Sequence, residues 1–190
     1  MNSIKIILSA LLISGVLTSC LEEQETPQEI YQRDLEKIDE YLSTSDYPYV
    51  EMDQDENTGI VVLWEHKSYS GIEPEEGDTL HVDYTGMLLN ESVFDSSNED
   101  IARDNRIYNS NRDYVPLEIK YLHDNDYIYG FLLGLSKMEE GDRARVIMPS
   151  YYGYGNVDQG SRIPANSVLM FDLDLIEVDK DIEDDSETGE

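Results

Sequence analysis

The sequence predicts an α+β fold: a twisted antiparallel β-sheet wrapped around one short helix, with a helical N-terminal tether in front of it. Three observations predict it. From Gly59 onward apolar residues recur with period two, as in Leu80, Val82 and Tyr84, in Ala144, Val146 and Met148, and in Leu169, Phe171, Leu173 and Leu175. Such alternation marks antiparallel strands with one wet and one dry face. Within that region only Phe131, Leu135 and Met138 repeat at helical spacing, and Gly141 stops them. The charge is segregated as well: residues 21–56 carry 13 acidic and two basic side chains and residues 179–190 carry seven and one, against 22 and nine between them. Acidic, turn-rich ends are solvated, which leaves one domain of about 120 residues.

The elements follow in chain order. Lys5 precedes an apolar run over residues 6–17 that ends at Leu17-Thr18-Ser19-Cys20. A spanning helix needs about 20 apolar residues, so residues 1–19 read as a secretory signal peptide. A cysteine directly after the small residues resembles a bacterial lipobox, which makes Cys20 the expected lipidation site, and residues 20–56 a lipidated tether. The acidic Glu22-Glu23-Gln24-Glu25 is either a surface-export signal or a solvated linker. Thr26-Pro27-Gln28-Glu29 is a capping box with proline at the first helical position, and Ile30, Leu35, Ile38, Tyr41 and Leu42 continue at helical spacing to Ser43. That helix either packs on the domain, pairs with a second copy or stands alone. The domain itself is expected over residues 57–178, and an acidic disordered tail over residues 179–190. Its first strand is the dense apolar run Ile60-Val61-Val62-Leu63-Trp64; Leu80, Val82 and Tyr84 form the next, Leu117, Ile119 and Tyr121 another.

Several functions are excluded. A net charge of −29 repels nucleic acid and anionic lipid. Cys20 is the single cysteine, so no internal disulfide, thiolate metal site or thiol nucleophile is available. Asp53-Gln54-Asp55-Glu56-Asn57 begins like a calcium loop, but Thr58 and Trp64 stand where the turn glycine and bidentate acid belong. His66, His81 and His123 lack ligand spacing. No metal and no cofactor is expected.

Four motifs in order carry a resemblance. Val82-Asp83-Tyr84-Thr85-Gly86 is followed by Phe94-Asp95-Ser96-Ser97, then Tyr127-Ile128-Tyr129-Gly130-Phe131, then Tyr151-Tyr152-Gly153-Tyr154-Gly155, then Ile163-Pro164-Ala165-Asn166-Ser167 with Leu169-Met170-Phe171-Asp172. Together they resemble the FKBP-type peptidyl-prolyl cis-trans isomerases, in particular the membrane-anchored lipoproteins of Bacteroidota. The resemblance implies a catalytic set of Tyr84, Asp95 and Phe171, with Phe94, Leu117, Tyr127, Ile128, Phe131, Tyr154 and Ile163 binding substrate. It also implies Xaa-Pro segments of exported proteins as clients, and FK506-like macrolides as a second ligand class. The Ile128 backbone N–H and the Tyr154 hydroxyl match groups that bind substrate carbonyls in the family. Residue by residue a simpler account stands beside this one: inward aromatics are usually core, and Asp95 fits an Asx turn.

Departures from the family pattern bear on strength. Phe131 stands where tryptophan is usual, Leu117 where phenylalanine is, and Ala165 where a second proline is. Residues 98–115 replace a short link and gather Arg103, Arg106 and Arg112 at the rim. They either select substrates or pack on the sheet edge. The expectation is a peptidyl-prolyl isomerase that assists folding in the cell envelope, lipid-anchored at the outer membrane with its body on the periplasmic face. The alternatives are a catalytically weak FKBP-like chaperone or binding module, and a component of envelope or gliding machinery.

Overall fold

The computed structural model describes residues 25–124 and 126–181. The expected signal peptide, Cys20, residues 22–24 of the acidic stretch and residues 182–190 of the tail lie outside the described residues. The chain runs α1 (Pro27–Thr44), β1 (Glu51–Gln54), β2 (Val61–His66), β3 (Thr79–Leu88), β4 (Val93–Ser96), α2 (Glu99–Asp104), β5 (Leu117–Lys120), α3 (Tyr129–Leu135), β6 (Arg143–Met148), a 3-10 turn (Ser150–Tyr152) and β7 (Leu169–Asp179). All pairings are antiparallel, in the order β1-β2-β6-β7-β3-β4, with β5 also on β3. The predicted sheet and its single core helix are both present.

Strand β3 sets where the site can form. Its first residues pair with β5, Thr79 with Lys120 through Val82 with Leu117. Its later residues pair with β4, Thr85 with Ser96 and Gly86 with Asp95. Both partners lie on the same edge of β3, so the edge splits between Val82 and Thr85. Tyr84 stands in the split, its own N–H donating to Ser97 Oγ at 2.9 Å and its carbonyl accepting the Ser97 N–H at 3.0 Å. The other edge of β3 is fully paired with β7, where Gly86 sits opposite Phe171.

The inner face packs Val62, Trp64, Val82, Val146, Leu173 and Leu175 against Phe131, Leu132 and Leu135 of α3. Gly134 lets the helix lie close, since a Cβ there would stand 2.7 Å from Val146. Met138, expected in the helix, lies just beyond it and is fully buried.

The outer face departs from the expectation of a sheet covered on one side. Ile38 of α1 is buried there with Val61, Leu63, Met87, Ile147 and Met170. The physical reason is in β2, β6 and β7, which carry apolar residues on both parities at one end, and a strand of that kind needs cover on both faces. Helix α1 therefore packs on its own domain. Its N-terminus has the predicted box: Thr26 Oγ1 accepts the Glu29 N–H at 3.2 Å, and Glu29 Oε2 accepts the Thr26 N–H at 2.8 Å. Asp34 is buried, its Oδ2 accepting the Ser150 N–H at 3.0 Å and the Ser150 hydroxyl at 2.5 Å. Tyr41 accepts from Arg145 Nη1 at 2.6 Å. The packed unit thus starts well before residue 57, because β1 pairs with β2 as a hairpin. Asp55 closes that hairpin by accepting the N–H groups of Asn57 and Thr58. At the other end Asp181 N–H and Lys180 bind the buried Asp78, so the first residues of the expected tail are held to the domain.

Candidate active site

A cavity of about 370 Å³ opens at the split in β3. The structure brings all ten nominated pocket residues to it: Tyr84, Asp95, Phe171, Phe94, Leu117, Tyr127, Ile128, Phe131, Tyr154 and Ile163. Asp126 and Gln159 line it too, and the sequence reading missed both. They come from turns beside α3 and after the 3-10 segment, where no periodicity marks them.

The floor is an aromatic box. The Phe131 and Phe171 rings meet edge to face at 5.2 Å, Phe94 and Phe171 at 5.7 Å, and Tyr84 and Phe131 at 6.1 Å. Tyr127 stacks on Phe131 at 6.1 Å. Edge-to-face contacts at these separations are favourable for aromatic quadrupoles. Gly86 makes the box possible, because a Cβ at that position would stand 2.5 Å from Phe94 and 2.8 Å from Phe171.

One polar cluster stands at the wall. The Tyr84 hydroxyl donates to Asp95 Oδ2 at 2.5 Å and accepts from Arg112 Nη2 at 2.8 Å. Arg112 Nη1 donates to Asp95 Oδ1, which also accepts the Ser96 N–H at 2.9 Å. Asp95 lies in β4 and pairs with Gly86, so an Asx turn does not explain it. Burial and then the Asp95 carboxylate push the Tyr84 phenol above its usual range, only partly offset by Arg112. Burial opposes the charge on Arg112, yet its bonds to Tyr84 and Asp95 prevail and raise its pKa. Burial, and then Asp95, raises the Tyr154 phenol, so that hydroxyl keeps its proton as a donor. Ile128 stands at the N-cap of α3, where N–H groups have no partner within the helix.

Residues 98–115 supply Arg112, and of the three arginines expected at the rim the structure pairs two with carboxylates. Arg112 is paired with Asp95, and Arg103 with Glu99 while it stacks on Tyr108 at 3.5 Å. The segment begins with α2, capped by the Asn98 side chain, and buries Ala102. Tyr108 stacks on Tyr114 at 5.5 Å, and Arg112 lies over Tyr114 at 5.3 Å. This segment therefore braces two residues of the pocket wall, Tyr84 and Asp95, through Arg112. The signal that could have found Arg112 was Asp95 itself, since a carboxylate among aromatics needs a cationic or hydrogen-bonding partner.

The comparisons with known proteins agree with this geometry. A family model described as FKBP-type peptidyl-prolyl cis-trans isomerase matches residues 70–176. The chain belongs to that family. FK506-binding protein 2 of Dictyostelium discoideum is 35% identical over 105 residues, 55% of this chain and 68% of that protein. The FKBP-type peptidyl-prolyl cis-trans isomerase FkpA of Aeromonas hydrophila is 32% identical over 114 residues, 60% of this chain but 36% of that protein. Among solved structures, FkpA from Escherichia coli superposes with a TM-score of 0.57 at 23% identity, over 78% of this chain and 59% of that one. The matched region holds every residue of the FKBP pocket described above.

Outside the pocket, His81 Nε2 lies 3.1 Å from Asp179 Oδ2, and with Glu177 these ligand atoms fall within 4.8 Å of one another. The trio lies on β3 and β7, and its two carboxylates are exposed.

Proposed function

We propose that this FKBP-family chain is a peptidyl-prolyl isomerase of the bacterial cell envelope, made with a signal peptide over residues 1–19 and anchored through acylated Cys20. The observation that carries the catalytic part is the apolar cavity with one fixed polar wall. Rotation about an Xaa-Pro bond faces a barrier of roughly 20 kcal/mol, because it breaks amide resonance. The twisted amide has less charge separation than the planar one, so a dry aromatic box favours it over the ground state. Differential binding of the twisted form then lowers the barrier without a nucleophile.

In this reading Phe94, Phe131 and Phe171 hold the proline ring, with Leu117, Tyr127 and Ile163 closing the sides. The Ile128 N–H and Tyr154 hydroxyl bind the carbonyls that flank it. Asp95, held by Arg112 and Ser96, aims Tyr84 and faces the turning carbonyl dipole. Support for the envelope comes from the apolar run over residues 6–17 and the small residues directly before Cys20. Several acyl chains would give a stable anchor where one would not. The outer-membrane, periplasmic-face location and the lineage with Bacteroidota lipoproteins belong to the same proposal, as do exported clients and FK506-like ligands.

Exchange spectroscopy on an Xaa-Pro tetrapeptide tests the chemistry. Acceleration at micromolar protein is expected. None at all would turn the reading toward a non-catalytic binding module with the same cavity. The anchor has its own test, mass spectrometry of the wild-type N-terminus against Cys20→Ala. An unmodified N-terminus at or beyond residue 20 would refute acylation.

A further inference from the structure

A second cavity, of about 570 Å³, lies between the start of α1 and the turn that follows the 3-10 segment. Pro27, Ile30 and Tyr31 form its α1 side, and Tyr151, Gly153 and Tyr154 the other. Tyr154 also lines the prolyl cavity, so the two spaces share one side chain as a wall. We propose that this groove binds the polypeptide flanking the proline, taking apolar or aromatic client residues a few positions away from it. The proposal rests on the isomerase reading above and names the substrate class it would select.

Three features carry it. The prolyl cavity accommodates little beyond one ring and its two flanking peptides, whereas an extended chain advances about 3.3–3.6 Å per residue. Residues a few positions from the proline therefore leave the cavity and cross whatever surface adjoins Tyr154. That surface is built to be met: Tyr151 is 71% exposed and Tyr129 58%, and their rings flank Tyr152 at 5.1 and 6.3 Å. Gly155, at φ +57°, would have nothing within 4 Å of a Cβ, which leaves its backbone open to an approaching chain. Exposed tyrosines with asparagines beside them, here Asn156 and Asn166, give amphipathic contact with little loss of side-chain freedom.

The groove is also held in shape. Asp34 ties α1 to Ser150, whose carbonyl accepts the N–H groups of Gly153 at 3.0 Å and Gly155 at 2.8 Å. Gly155 in turn accepts the Asn166 N–H at 2.7 Å. Helix and turn are thus one braced unit around Tyr154. Glu25 is the charged residue among the lining and the protein is acidic throughout, so acidic segments are disfavoured.

The test uses the full chain with Ile30→Asp and Tyr151→Ser variants, neither of which touches the prolyl cavity. Two ten-residue peptides share one Xaa-Pro bond, and carry either leucine and phenylalanine or serine beyond it. Binding is read by fluorescence anisotropy and exchange by NMR. Wild type should bind the apolar-tailed peptide about five- to ten-fold more tightly, the scale of part-burying one such side chain. Both variants should lose that preference while tetrapeptide exchange stays within about two-fold of wild type. Variants that keep the preference would overturn the proposal. So would a concentration-dependent wild-type dimer that Tyr151→Ser dissolves, which would give the groove to a second copy. Wild type that prefers the apolar tail yet catalyses no exchange would sink the isomerase reading and keep the groove.

Discussion

Removing Arg112 perturbs the pocket wall in a way the structure makes quantitative. Its guanidinium bridges two groups, donating to Asp95 Oδ1 and, at 2.8 Å, to the Tyr84 hydroxyl. Hydrogen bonds to charged groups contribute about 1.5–3 kcal/mol when protected, but the Arg112 and Asp95 side chains are 32% and 41% exposed, and solvent cuts such pairs to about 1 kcal/mol or less. A coupling of about 1 kcal/mol is therefore expected in a double-mutant cycle of Arg112→Ala and Asp95→Ala, read from urea midpoints at constant slope. The loss of orientation at Tyr84 should lower kcat/KM for an Xaa-Pro tetrapeptide about five-fold, the same energy expressed as a rate. Arg112→Lys discriminates field from geometry. A lysine keeps the charge but lacks the planar fork that spans both partners, so it should restore little activity. Additive single variants, or Arg112→Lys at wild-type activity, would refute the claim that the fork positions the site.

Two further outcomes follow from the fold. Gly86→Ala should close the cavity, because its methyl would displace the Phe94 and Phe171 rings; a loss of about 1–3 kcal/mol, typical of overpacking, should accompany loss of exchange activity, and a crystal structure with both rings unmoved would contradict it. Asp174→Asn should stabilise. Asp174 faces Asp83 directly across β3 and β7, and burial, with Asp83 and Glu65 adding to it, raises its pKa against the pull of Arg143. A carboxyl with a raised folded-state pKa costs stability in its charged form, fully above that pKa, and the cost fades as pH falls through it toward the unfolded value. The gain should be roughly 0.2–1 kcal/mol at pH 7, the range for like charges directly opposed, and should vanish in acid. A thermal shift that is unchanged from pH 7 to pH 3 would refute the charge argument.

The sheet and its helix were legible in the sequence because alternation of apolar residues is a local signal. Leu80, Val82 and Tyr84 point inward whatever the rest of the chain does. The second cover was harder to read, although Ile60-Val61-Val62-Leu63-Trp64 held the clue: five apolar residues in succession cannot all face α3. Taken with the amphipathic spacing of Ile30, Leu35, Ile38 and Leu42, that run asks for a second apolar partner on the outer face. The helix and the strand state complementary needs, but nothing in a linear sequence says that they meet rather than meeting a second copy. Strand β1 was hidden for a related reason, since Glu51-Met52-Asp53-Gln54 shows no apolar alternation and is held by pairing with β2.

The pocket was legible through its motifs, and the place of Arg112 shows what motifs leave out. Tyr84, Asp95 and Phe171 occupy strand positions fixed by register, so sequence order carries them to one place. Arg112 arrives on a segment with no regular period, and its destination depends on how residues 98–115 fold. That folding is itself physical: Asn98 caps α2, Ala102 buries it, and the stacked Tyr108 and Tyr114 stiffen the return. The segment leaves the edge of β3 after β4 and rejoins it at β5, so its two ends bracket the split in which Tyr84 stands. An arginine on the returning limb of such a bridge reaches the carboxylate of Asp95. The segment consequently supports the pocket from behind its wall, and cutting it to a few residues would remove the partner of Asp95.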